Sequence, residues 1–333
     1  MIGRLLLVAA VPAIAMGVAG PGLDRLARRL SDAPRRLPEE AGMAPALDAL
    51  GGEVVRLRAR DGLRLGARWL AAEAARGGDG SSSAAWVPDP REAILLLHGY
   101  SGSVTPDLVE HGPYLRRTAG VLGLDFRGHG DSDDAPTTFG LHEVEDVAGA
   151  LAFLGERGIR RVALVGSSMG GVTAIASVAV LGDGRLGSAD ADPDAPAATV
   201  EAPRPSIVAV VADSVPPELA VVVANRLRIP FGRLVAERAF DRMAARVGGD
   251  PRETQPIAVV GLLEDVPLLL VSGAEDRTVP IRDARRLAAA APEGTQHLVV
   301  PGADHGAAHR IDPSSYEAAV TGLLREAFLR SRP

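Results

Sequence analysis

The stretch Leu164-Val165-Gly166-Ser167-Ser168-Met169-Gly170-Gly171 constrains this chain more than any other. An apolar, β-branched run enters it and the small apolar residues 172–180 leave it, so the order is strand, sharp turn, helix. A turn that tight forces the residue at its tip into a strained backbone conformation. Glycines two places before and after remove the side chains that would collide. Gly166 and Gly170 hold those places, and Ser168 stands at the tip. Its hydroxyl is then lifted clear of the sheet, beside the first N–H groups of a helix, where negative charge is favoured. Ser167 is the rival nucleophile, but Val165 stands where its upstream glycine would have to be. In a chain with 38 glycines the pattern alone is weak, and the strand-to-helix context is what gives it weight.

The 333 residues, 47% of them hydrophobic, suffice for one large core rather than two independent ones. A net charge of −6 without a basic stripe argues against nucleic acid as a partner. The chain has no cysteine, which excludes disulfides, thiolate metal sites and a cysteine nucleophile. It also has no lysine, which removes Schiff-base and lysine-base mechanisms. No cluster of metal ligands stands out, and neither a metal nor another cofactor is expected.

From the start, residues 5–23 carry no charge, a length that suits one membrane-spanning helix. Arg25, Arg28, Arg29, Arg35 and Arg36 follow it against Arg4 before it, which places the body on the cytoplasmic side. A cleaved secretory signal is the competing reading, with Ala13-Ile14-Ala15 as the cleavage site. Leu23, Leu26, Ala27 and Leu30 share one helical face, which suits contact with a layer of anionic headgroups. Residues 1–40 therefore read as an anchor or signal with a basic flank, and 52–333 as the catalytic domain. Within that domain, period-two alternation on either side of Asp61-Gly62 predicts a hairpin. Residues 71–91 read as a flexible connection. Buried strands are expected at 93–97, 121–126, 161–165, 207–212, 267–271 and 296–300, with helices at 142–157 and 283–291 and from 314 onward. The low-complexity stretch 182–206 reads as a mobile insertion, and 216–256 as a helical cap whose arginines form a solvated face, with contact to a charged substrate as the alternative. Strands alternating with helices demand a mostly parallel sheet covered on both faces, an α/β fold.

In such a sheet ligands bind beyond the carboxyl ends of the strands. Four segments qualify: His98-Gly99-Tyr100, Ser168, Gly273 to Pro280 with Asp276, and Gly302-Ala303-Asp304-His305-Gly306. Serine, acid, histidine is the chain order of a nucleophile-elbow enzyme. These motifs, with Asp125-Phe126-Arg127-Gly128-His129-Gly130-Asp131-Ser132, resemble the α/β-hydrolase family over about residues 53–330. They look most like its branch of Bem46-like and serine-aminopeptidase-like hydrolases. The resemblance implies Ser168 as nucleophile, His305 as base and Asp276 as the carboxylate orienting it. It also implies an oxyanion hole from the backbone N–H groups of Tyr100 and Met169. Tyr100-Ser101 stands where many lipases have consecutive glycines, which argues against a bulky-ester lipase.

Of the seven histidines, His305 alone lies in a glycine-bounded loop after the last strand, with His309 as runner-up, a solvated or capping residue. His98 and His129 read as loop-fixing groups, and His111, His142 and His297 carry no special context. Asp213, after the strand preceding Asp276, is the alternative acid. Asp304 and Glu275 adjoin the candidate base and acid but point elsewhere, and Asp125 reads as a loop carboxylate paired with Arg127. The expected chemistry is serine hydrolysis of an ester, thioester or amide through an acyl-enzyme, on a small-molecule acyl substrate. Acyl transfer to an alcohol by the same residues, or a non-catalytic binding module, are the alternatives.

Overall fold

A computed structural model of the chain describes residues 20–73, 86–182 and 204–332. Residues 5–19 of the uncharged stretch, with Ala13-Ile14-Ala15, lie outside the described residues, as do 74–85 of the connection and 183–203 of the insertion. Among the described residues no helix is long and apolar enough to cross a membrane.

Eight strands form one sheet: β1 Glu53–Arg58, β2 Arg64–Leu70, β3 Glu92–Leu97, β4 Gly120–Leu124, β5 Arg161–Ser167, β6 Ser206–Asp213, β7 Leu268–Gly273 and β8 Gln296–Val300. Their order is β1-β2-β4-β3-β5-β6-β7-β8. The β1–β2 hairpin is antiparallel, with Glu53 opposite Trp69, and its turn needs Gly62 at φ 92°. From β4 to β8 every pairing is parallel.

The helices of seven or more residues are α1 Pro21–Ser31, α2 Ala44–Leu50, α3 Thr105–Leu115, α4 Glu143–Glu156, α5 Met169–Leu181, α6 Leu219–Leu227, α7 Gly232–Val247, α8 Ile281–Ala290 and α9 Pro313–Ser331. The central strands are apolar at nearly every position because both faces of the sheet are covered. Period two still sorts them. Ile94 and Leu96 of β3 pack with Leu108 of α3 and Val320 of α9. Leu95 and Leu97 pack with Val147 of α4 and Ile175 of α5.

The expected cap is two helices, α6 and α7, joined by a short turn. The amphipathic segment around Leu26, expected at a headgroup layer, behaves differently. Helix α1 packs on α7, with Ala27 fully buried and Leu26 and Leu30 against the core. Asp24 pairs with Arg242 at 3.6 Å and Asp32 with Arg246 at 2.9 Å. The apolar stripe that a membrane surface would take is covered by the protein's own cap.

Candidate active site

Ser168 has φ 48° and ψ −111°, a backbone conformation that costs a non-glycine residue on the order of 1–3 kcal/mol. The neighbouring glycines show why the turn closes only with this sequence. A Cβ on Gly166 would lie 2.3 Å from the carbonyl carbon of Gly170, and one on Gly170 would lie 2.1 Å from the Leu97 carbonyl oxygen. Both obstacles are backbone and cannot rotate away. Gly170→Ala is expected to destabilise the fold by about 3 kcal/mol, roughly 6–12 °C in Tm for a domain of this size, as read by thermal melting.

The strand ends bring three distant residues together. His305 Nε2 lies 3.0 Å from Ser168 Oγ, and His305 Nδ1 lies 2.8 Å from Asp276 Oδ2. Asp276 is buried, and its other oxygen accepts the N–H groups of Thr278 and Val279, each at 2.7 Å. The carboxylate is thereby held so that it can accept the Nδ1–H and leave the Nε2 lone pair facing the serine. An imidazole so arranged can take up the hydroxyl proton as oxygen attacks a carbonyl.

The alternative acid is committed elsewhere. Asp213 accepts hydroxyls from Ser214 at 2.8 Å and Tyr316 at 3.1 Å, and burial raises its pKa. Its backbone oxygen accepts the Ser168 N–H at 2.7 Å, so that donor is not open to an oxyanion. Met169, the first residue of α5, has an N–H with no partner inside the helix. The Gly99–Tyr100 backbone passes close by, since a Cβ on Gly99 would lie 3.7 Å from the Ser168 Cβ. The rival Ser167 turns its hydroxyl onto the half-buried carboxyl of Asp107, at 3.2 Å.

The loop-fixing residues are in place, with two corrections. His98 donates from Nδ1 to the Gly99 carbonyl at 2.7 Å and accepts the Phe126 N–H at Nε2. Burial lowers its pKa to about 3, so the ring is neutral and ties the loop after β3 to the loop after β4. His129 Nδ1 contacts the Arg127 carbonyl at 2.8 Å. Asp125 does not pair with Arg127. It accepts the N–H groups of Val104 and Asp131, while Arg127 forms its ion pairs with Asp146 at 2.7 Å and Asp61 at 2.9 Å. Nor is His309 a solvated or capping residue, because it lies between Glu110 and Glu317 at 3.1 and 3.2 Å. Asp304 accepts the N–H groups of Arg277 and His305, joining the two loops that carry Asp276 and His305.

The contribution of residues 34–40 is new. Glu40 is buried and accepts the N–H groups of Leu37 and Ser103 at 3.0 Å and the Ser103 hydroxyl at 2.7 Å. Arg35 donates to the Ser132 carbonyl and Arg36 pairs with Asp131. The segment thus straps the loops after β3 and β4. A cavity of about 360 Å³ opens from Ser168 and Met169 between cap and sheet, walled by Leu26, Leu30, Phe139, Leu219, Val223 and Phe240. A second, of about 350 Å³, opens on the His305 side and includes Asp107, Glu110 and His309.

An eight-stranded, mostly parallel sheet with a strained serine between β5 and its helix defines the α/β-hydrolase fold. The chain belongs to the alpha/beta hydrolase family, whose model matches residues 94–319. It is 24% identical over 246 residues to the Salmonella typhimurium protein YfhR, covering 71% of this chain and 70% of that one. In fold it is similar to the Pyrococcus furiosus esterase Pf2001, with TM-score 0.58 and 18% identity over 89% of this chain and 98% of that one. It is also similar to an alpha-beta hydrolase from Vibrio vulnificus, with TM-score 0.60 and 19% identity over 91% and 94% of the two chains.

Proposed function

We propose that this hydrolase cleaves an ester, thioester or amide by acyl transfer to Ser168, with His305 as general base and Asp276 orienting it. The reading rests on one observation, the unbroken hydrogen-bonded run from Asp276 through His305 to Ser168. Oγ attacks the carbonyl as its proton passes to His305 Nε2, and the tetrahedral oxyanion is received by the N–H groups of Met169 and Tyr100. Collapse expels the alcohol, thiol or amine, which takes the proton from His305. Water then repeats the sequence on the acyl-enzyme. The similarity in fold to an esterase favours an ester among these bonds. The likeness to the branch of Bem46-like and serine-aminopeptidase-like hydrolases rests on the 125–132 segment, the elbow and the segments carrying Asp276 and His305.

The apolar cavity beside Ser168 suits an acyl chain. Burying one methylene is worth about 0.8 kcal/mol, so kcat/KM on p-nitrophenyl esters is expected to rise up to about fourfold per added methylene until the cavity is full. A preference for acetyl over every longer chain would remove the acyl assignment of this cavity. The nucleophile itself is tested with a fluorophosphonate probe followed by peptide mapping. Label on Ser168 in the parent, and none in Ser168→Ala or His305→Ala, is the expected result. Label at any other serine overturns the reading.

A further inference from the structure

Apart from Ser168 and Tyr100 at its mouth, the acyl-sized cavity is lined by apolar side chains and two arginines, Arg29 of α1 and Arg226 of α6, and no carboxylate shares its wall. Arg226 also lines the second cavity, on the His305 side, so it stands where the two meet beside Ser168. Four other arginines of the cap are answered by acids, Arg233 by Glu218, Arg242 by Asp24, Arg246 by Asp32 and Arg252 by Asp250, while Arg228 and Arg238 lack an acid among the described residues but line neither cavity. Among the described residues neither Arg226 nor Arg29 has an ion pair or a side-chain hydrogen bond. The acids of the second cavity are themselves occupied. Glu110 holds Arg310 and His309, Glu40 holds Ser103, Asp213 holds Ser214 and Tyr316, and Asp107 faces Ser167.

Water can solvate both guanidinium groups, but their place on the rim of an apolar cavity that opens on Ser168 puts them within reach of whatever occupies it. An amphiphile with one anionic group supplies the missing partner. We propose that Arg226, with Arg29 beside it, is an anion subsite of this active site, and that the substrate is an amphiphilic ester. Its chain fills the apolar cavity, and its phosphate or carboxylate lies on the Arg226 guanidinium. The planar fork of N–H donors fits either group through two parallel hydrogen bonds. The proposal rests on the hydrolase reading given above.

Two matched substrate pairs test it on the purified full chain. One sets 1-octanoylglycerol 3-phosphate against 1-octanoylglycerol, placing the charge on the alcohol side. The other sets the mono-p-nitrophenyl ester of adipic acid against p-nitrophenyl hexanoate, placing a carboxylate at the end of the acyl chain. The parent is expected to favour the anionic member of one pair by about tenfold in kcat/KM. That is the lower end for a charge-assisted hydrogen bond, because the guanidinium is exposed to solvent. Raised salt should shrink the ratio. In Arg226→Gln the ratio falls toward one, Arg226→Lys retains part of it, and Arg228→Gln, outside both cavities, keeps the parental value. The favoured pair tells which end of the substrate carries the charge. Ratios near one for both pairs in the parent, or a ratio unmoved by Arg226→Gln, overturn the subsite. Failure of the hydrolase reading looks different: p-nitrophenyl hexanoate is not turned over and Ser168 takes no fluorophosphonate.

Discussion

Ser168→Ala is expected to lower kcat on p-nitrophenyl esters by on the order of a millionfold, while Tm stays within a few degrees of the parent. On the proposed reading the loss is large because the hydroxyl that would take up the acyl carbon is the one that stands 3.0 Å from His305 Nε2. Without it, His305 and the N–H donors can only assist water, a residual catalysis of roughly 10³- to 10⁴-fold over solution. Alanine tolerates the φ of 48° no better and no worse than serine, so the fold has little reason to respond. Ser167→Ala supplies the contrast. That hydroxyl donates to Asp107, away from His305, and its removal should cost less than tenfold. If the two variants exchanged these effects, the nucleophile would be the neighbour and the elbow argument would fail.

The sheet and the elbow were legible because the physics behind them is local. Strands buried on both faces must be apolar throughout, so β3, β5 and β7 stand out as short apolar runs ending in polar loops. A backbone that passes 2.1 Å from where a Cβ would sit admits only glycine, so Gly170 announced the turn without its partners being known. Helix α3 stayed hidden. It carries Pro106 and Pro113, and its buried positions, among them Leu108, His111 and Tyr114, mix apolar with polar residues. Helix α1 was seen as amphipathic, but an apolar stripe says only that something covers it. A headgroup layer and the α7 face demand the same pattern, and only the fold distinguishes them.

Polar partnerships were the least legible part. Asp125 and Arg127 are two residues apart and opposite in charge, yet each finds partners nearer in space. Backbone amides of the 103–104 and 130–131 turns converge on Asp125, while Asp61 and Asp146 reach Arg127 from β1–β2 and α4. Glu40 lies 63 residues from Ser103, and Arg226 becomes notable only because it lines both cavities beside Ser168 without an ion pair among the described residues. Such roles depend on which loops meet, a long-range property that periodicity does not carry. The same held for the choice between the two candidate acids, where both positions follow a strand and the chain order fits either.

That choice yields the second large effect. Asp276→Asn is expected to reduce kcat by about 10⁴-fold with little change in Tm, whereas Asp213→Asn should cost no more than about tenfold. The argument turns on which oxygen is already engaged. Oδ1 of Asp276 accepts two backbone N–H groups, from Thr278 and Val279, and an asparagine there must keep its carbonyl oxygen on that side. Its amide nitrogen then faces His305 and donates to Nδ1, which moves the imidazole proton to Nε2. A ring protonated at Nε2 donates to Ser168 instead of accepting from it, and the base is lost although every atom keeps its place. Asp213 has no such leverage. Its oxygens meet the hydroxyls of Ser214 and Tyr316, which can turn to suit an amide, and burial already disfavours its charge. Steady-state rates on one p-nitrophenyl ester, with melting curves for both variants, decide the matter. A 10⁴-fold loss in Asp213→Asn beside a mild one in Asp276→Asn would transfer the orienting role to β6.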